Sequence, residues 1–121
     1  CDVTLAVVLI HEQVSPLRQS AGVRTIEADQ CWMSPCNGQA CVSIHFTFKQ
    51  DCPSVQKLLP VIEKELEPFD ARPHWAKLFT MAPSRLQSLY RKLPDFQQLL
   101  KKYDPKGKFR NEFLDRNIFG S

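Results

Sequence analysis

The apolar positions of this chain change period along its length, and each period predicts an element. Between Val3 and Glu12, the residues Leu5, Val8, Leu9 and Glu12 fall at helical spacing, which predicts a helix with one apolar face, capped by Asp2. Three valines and an isoleucine in the same run keep a buried strand as the alternative, and Pro16 ends the element in either case. Leu17 to Glu27 alternates from Gly22 onward, with Val23 and Thr25 pointing one way and Arg24 and Ile26 the other, which reads as a strand. Residues 28–40 form a loop around Pro35 and the Asn37-Gly38 turn signal. Cys41 to Lys49 (CVSIHFTFK) has the sharpest alternation. Val42, Ile44, Phe46 and Phe48 share one face, and Ser43, His45, Thr47 and Lys49 share the other.

Asp51-Cys52-Pro53 opens a helix, because proline is tolerated in a first turn whose N–H groups have no helical partner. Val55, Leu58, Leu59, Ile62 and Leu66 make its core stripe, with Pro60 as a kink or a delayed start. Pro68 and Pro73 bracket a connection, and PHWAKLFTM (73–81) reads as a third strand or an extended segment. Pro83 and Pro94 each start a helix, the first turning Leu86, Leu89 and Tyr90 inward and the second Phe96, Leu99, Leu100 and Tyr103. Asp104-Pro105-Lys106-Gly107 is a turn, and the tail KFRNEFLDRNIFG returns with alternating aromatic and polar groups. The order α-β-β-α-β-α-α predicts an α+β fold in which a small antiparallel sheet is covered by helices on one face. Its other face carries Arg24, His45 and Thr47, with Lys77 as a further member if its segment joins the sheet.

Length narrows the classes. At 121 residues, the chain reads as a single domain, residues 1–121, or a piece of a larger one, and is too short for a two-domain cofactor enzyme. No apolar run approaches the ~20 residues of a membrane helix; the longest, Leu5 to Ile10, predicts no membrane span. Sixteen Lys and Arg against thirteen Asp and Glu leave +3, spread along the chain with a modest excess after Lys101. Nucleic-acid binding is not expected without a dense basic patch. Five cysteines leave at least one without an internal partner. Cys31, Cys36 and Cys41 sit around the Asn-Gly turn at four-residue spacing, which allows free thiols, disulfides if the protein is secreted, or a less well spaced zinc site. No metal site is assigned.

Three groups of residues carry candidate chemistry. Arg24 offers a planar fork for an anion, a carboxylate or a polyol oxygen; the plain alternative is an exposed strand arginine. His45 and Thr47, two apart on one strand, could hydrogen-bond ligand hydroxyls, or His45 could serve as a base; the alternative is a half-exposed strand face. Pro73-His74-Trp75-Ala76-Lys77 places an imidazole, an indole and an ammonium within five residues. Lys77 could stabilise a developing anion, against the reading of a packed Trp beside a snorkelling lysine. GxSxG, GxxxxGK[ST], GxGxxG and HExxH are all absent, and with four glycines a nucleotide-cradling loop is excluded.

RPHWAKLFTM, VSIHFTF, VRTIEADQCWMSP and the tail from Leu93 to Gly120 together resemble the C-terminal part of bacterial alditol (xylitol) oxidases, in the vanillyl-alcohol-oxidase and aldonolactone-oxidase group. The resemblance runs from about Val14 to Gly120. It implies an oxidase cap-like fold and, in the complete enzyme, an FAD-dependent oxidation of a polyol by O₂ to an aldose and H₂O₂. It implies catalytic roles for Arg24, on the substrate-facing strand, and Lys77, near substrate and flavin. His45 and Thr47 are implied to contact substrate hydroxyls, and His74 is the motif's histidine.

Other positions depart from the family pattern. Gly22 stands where the family has a glutamate expected to align the substrate hydroxyl. Ala76 replaces a glycine and Phe48 a tryptophan, and the cysteine-rich loop is foreign to the pattern. The FAD domain is expected to be absent from this chain, so no FAD is expected to bind it alone and it is not expected to be catalytic by itself. A separate FAD-binding polypeptide could complete it. The resemblance implies a cytoplasmic location, and the alternative reading is a secreted, disulfide-stabilised binding or signalling protein derived from an oxidase cap.

Overall fold

A computed structural model describes residues 3–120. Among the described residues, five helices and two strands occur in the order α1 (Val3–Val14), β1 (Arg18–Ile26), β2 (Cys41–Phe48), α2 (Cys52–Leu66), α3 (Pro83–Ser88), α4 (Leu93–Tyr103) and α5 (Glu112–Leu114), with a 3₁₀ turn at Glu67–Phe69 and a π-helical turn at Asp115–Phe119. The fold is α+β, with a two-stranded antiparallel sheet. Among the described residues, no helix is long and apolar enough to cross a membrane.

β1 and β2 pair with Gly22 opposite His45, Val23 opposite Ile44 and Arg24 opposite Ser43, and a bulge lies between Arg18 and Ser20. Opposed residues share a face, so Phe46 and Phe48 point away from Arg24, His45 and Thr47. The two rings stack at 6.0 Å and pack, with Leu17 and Leu66, on Ile10 and Val14 of α1 and Leu58 and Ile62 of α2. Helical cover therefore reaches only one end of the sheet's apolar face. Toward the loop end, Val23 is 56% exposed and Val42 49%.

α1 runs two residues past Glu12. Its buried face is carried by Ile10 and Val14, four apart, while Val8 is exposed; the expected cap Asp2 lies outside the described residues. α2 starts as the sequence requires. The Asp51 carboxylate accepts from the Ser54 N–H at 3.2 Å, proline occupies the first turn and the helix continues through Pro60. That contact with Ser54 holds the Asp51 carboxyl below its ordinary value.

A second cluster gathers Leu86, Leu89, Tyr90, Leu93 and Ile118, flanked by Trp75, Phe79, Met81, Phe96 and Leu100. Two expectations fail around it. In α4 the packed stripe is Leu93, Phe96 and Leu100, while Leu99 is 41% and Tyr103 73% exposed. Those two lie to the side of a stripe already complete at spacings of three and four. The segment 73–81 is not a third strand, and the sheet ends at two. His74 accepts the Lys77 N–H at 3.0 Å, a turn that breaks strand alternation, and Pro73 has no N–H to give a ladder. The alternating tail also turns helical, burying Asn117 and Ile118.

Leu86 has no exposed surface. Leu86→Ala is expected to lower unfolding free energy by about 3 kcal/mol, through lost burial and a residual cavity, read as a reduced urea midpoint at unchanged slope.

Candidate functional site

The open face of the hairpin carries the first three predicted residues together. Ser43, His45 and Thr47 on β2 lie opposite Arg24, Gly22 and Ser20 on β1, and Arg24, His45 and Thr47 are all exposed. His45 Nε2 and Thr47 Oγ1 are 3.3 Å apart, with the donor set by the imidazole tautomer. Arg24 sits diagonally from His45, a relation that places Cβ atoms about 7–8 Å apart. Among the described residues, the Arg24 side chain makes no hydrogen bond or ion pair, so its five guanidinium N–H groups are open to a ligand. A hydroxylated chain lying along the strands would meet a guanidinium, an imidazole and a hydroxyl in one row.

His74 and Lys77 lie elsewhere. Both are exposed, on the turn at 74–77, where His74 Nδ1 accepts the Ala76 N–H at 3.1 Å. Among the described residues, no hydrogen bond, ion pair or ring contact joins them to Arg24, His45 or Thr47. The neighbouring Trp75 fixes this turn. Its Nε1–H donates to Met33 O at 2.8 Å, and its ring lies 4.9 Å from Tyr90 and edge-on to Phe113 at 6.3 Å. The segment is thereby held against the loop joining the two strands rather than against their polar face.

That loop is the part sequence reasoning resolved least. Asp29 organises it, accepting from the Cys31 N–H at 2.9 Å and from the Ser34 hydroxyl. Arg72 donates to Pro35 O at 2.8 Å and stands 5.2 Å from the centre of the Tyr90 ring. Glu63 ties α2 to the 71–82 segment by accepting from both the N–H and the hydroxyl of Thr80. Cys31, Cys36, Cys41 and Cys52 are free thiols, so hydrogen bonds rather than disulfides shape the loop here. Among the described residues, no three His, Cys, Asp or Glu side chains are grouped to hold a metal ion.

Comparison with known proteins now identifies the lineage. Residues 17–117 match the D-arabinono-1,4-lactone oxidase family, and the chain belongs to that family. It is 40% identical over 113 residues to an alditol oxidase from Streptomyces sp., a match covering 93% of this chain and 27% of the relative. L-gulonolactone oxidases from Scyliorhinus torazame and Mus musculus are 26% and 28% identical over 101 residues, each match covering 80% of this chain and 23% of the relative. The chain thus spans about a quarter of the length of these curated relatives.

Tyr90 gives this region a pH signature. Its hydroxyl is buried without a hydrogen-bond partner, and burial pushes its pKa from 10 up to about 12 although Arg72 opposes the shift. A phenol that ionises later in the folded state stabilises the fold below pH 10 and loses that contribution as pH rises through 12. Tyr90→Phe is expected to abolish this part of the alkaline loss in urea titrations. At neutral pH it should leave stability equal or higher by up to about 1 kcal/mol, because an unsatisfied buried hydroxyl is removed.

Proposed function

We propose that this chain is the substrate-facing part of a flavin-dependent polyol oxidase. The observation that carries the reading is the row of Arg24, His45 and Thr47 on one open sheet face, with Arg24 unpaired among the described residues. Membership of the lactone oxidase family and the 40% identity to an alditol oxidase support it. In this reading Arg24 and Lys77 stabilise negative charge developing on the substrate oxygen. His45 and Thr47 orient the hydroxyls along the polyol, and His74 approaches the same ligand from the Lys77 turn. The complete enzyme brings that turn and the hairpin face around one substrate.

The described residues do not form a glycine-rich cradle for FAD. One common cradle for a dinucleotide pyrophosphate is a run of closely spaced glycines leading into a helix N-terminus. Here Gly22 lies inside a strand, while Gly38, Gly107 and Gly120 serve three separate turns at positive φ. We assign the flavin to the rest of a complete family enzyme, carried by the same polypeptide or by a separate one. Its chemistry there is to accept the hydride of the polyol carbon.

Gly22 faces His45 across the ladder, and a Cβ built on it meets nothing within 4 Å. An acid is therefore sterically admissible where the family pattern has one. The test is a chimera in which this chain, carrying Gly22→Glu, replaces the matching stretch of the Streptomyces alditol oxidase. Xylitol-dependent peroxide release is the readout. Arg24→Ala and Lys77→Ala should each lower kcat/KM by about 100-fold or more, the scale of a lost charge-stabilising donor. Thr47→Val should cost about tenfold, mainly in KM. A chimera that keeps its flavin absorbance and is indifferent to Arg24→Ala and Lys77→Ala contradicts the proposal.

A further inference from the structure

The 36–41 turn brings two thiols together at the docked side of the loop. Cys36 O accepts the Gln39 N–H at 3.2 Å, closing a turn through Gly38, whose φ is +71°. Cys41, the first residue of β2, returns with its Sγ 3.4 Å from Pro35 O and 3.5 Å from Gln39 O. The Cys41 sulfur therefore lies against the carbonyl of the residue that precedes Cys36. Cys36 is buried, whereas Cys41 is half-buried and belongs to the wall of a surface depression of about 260 Å³ with Thr25, Ile26, Glu27, Ala40 and Val42. One thiol of the pair is thus reachable by a small solute, and the other is buried on the same short turn.

We propose that Cys36 and Cys41 form a peroxide-reactive dithiol, an oxidation site that closes the 36–41 turn with an intramolecular disulfide. Cys41, the accessible member, reacts first. It loses its proton, and its sulfur attacks one oxygen of hydrogen peroxide, breaking the O–O bond. The departing hydroxide takes a proton to become water, and Cys41 is left as a sulfenic acid. The Cys36 sulfur then attacks the Cys41 sulfur; the sulfenic hydroxyl leaves and, with the Cys36 proton, becomes a second water. Two thiols and one peroxide give one disulfide and two waters, the pair losing two electrons and the peroxide gaining them.

The order of attack follows from the surroundings. Cys41 borders the surface depression while Cys36 is buried, so peroxide meets Cys41 first; burial also pushes the Cys36 thiol up to about 11, against Arg72. The new bond would pin the start of β2 to the loop that Trp75 and Arg72 dock. The oxidant is hydrogen peroxide itself, so the proposal does not depend on the polyol reading.

The test uses the full chain. It is treated with hydrogen peroxide, remaining thiols are alkylated, and the tryptic peptide from Thr25 to Lys49 is sequenced by fragmentation. The expected product lacks two hydrogens, links Cys36 to Cys41, leaves Cys31 alkylated and is reversed by dithiothreitol. Cys31→Ser should leave the yield of that link unchanged. Cys36→Ser removes the resolving thiol and should drive Cys41 on to sulfinic acid. Alkylation of both Cys36 and Cys41 after peroxide, or a link that uses Cys31 or Cys52 instead, overturns the proposal; so does a Cys36→Ser protein whose Cys41 stays a thiol.

Discussion

Pairing of β1 with β2 in the register that sets Gly22 against His45 decides which side chains reach solvent. Side chains alternate with a period of two, so a slip by one residue would move β1's whole set to the opposite face. In the observed register, Phe46 and Phe48 lie under α1 and α2, while Arg24, His45 and Thr47 form one open row. The aromatic pair penalises other registers because its burial would be lost, a hydrophobic term of about 1.5–3 kcal/mol for each side chain. Stability and the candidate chemistry therefore rest on the same alternation, read from opposite faces of one hairpin.

The second organising contact is side chain to backbone. Trp75 donates to Met33 O and Arg72 to Pro35 O, so the strand-connecting loop is clamped to the cluster around Leu86 and Tyr90. These donors satisfy carbonyls of a loop that has little ladder of its own. They explain how a cysteine-rich loop holds its shape with free thiols, and why the Lys77 turn sits beside that loop. The hairpin face and the Lys77 turn are separate features of this chain, which spans about a quarter of the alditol oxidase it resembles.

Much of the fold was legible because it obeys local periodicity. β2 was readable from four apolar residues at alternate positions, and α2 from its Asp51 cap, early proline and complete stripe. The open row followed from the same alternation. What stayed hidden was set by neighbours rather than by period. Val42 has the pattern of a buried residue but is half exposed, because the helices end at Phe46. Tyr103 and Leu99 fit an apolar face that α4 does not use. Residues 73–81 look extended in composition, yet the His74 carbonyl accepts the Lys77 N–H to close a turn, and Trp75 is tied to Met33 across 42 positions. The contacts of Arg72 with Tyr90 and with the Pro35 carbonyl have no short-range signature at all.

The pairing register places Arg24, His45 and Thr47 on the uncovered face. Cross-strand nuclear Overhauser contacts in isotopically labelled protein test it most directly. The account predicts contacts pairing Gly22 with His45 and Arg24 with Ser43. Contacts pairing Val23 with His45 and Thr25 with Ser43 would contradict it, since Arg24 would then lie on the face that holds Phe46 and Phe48.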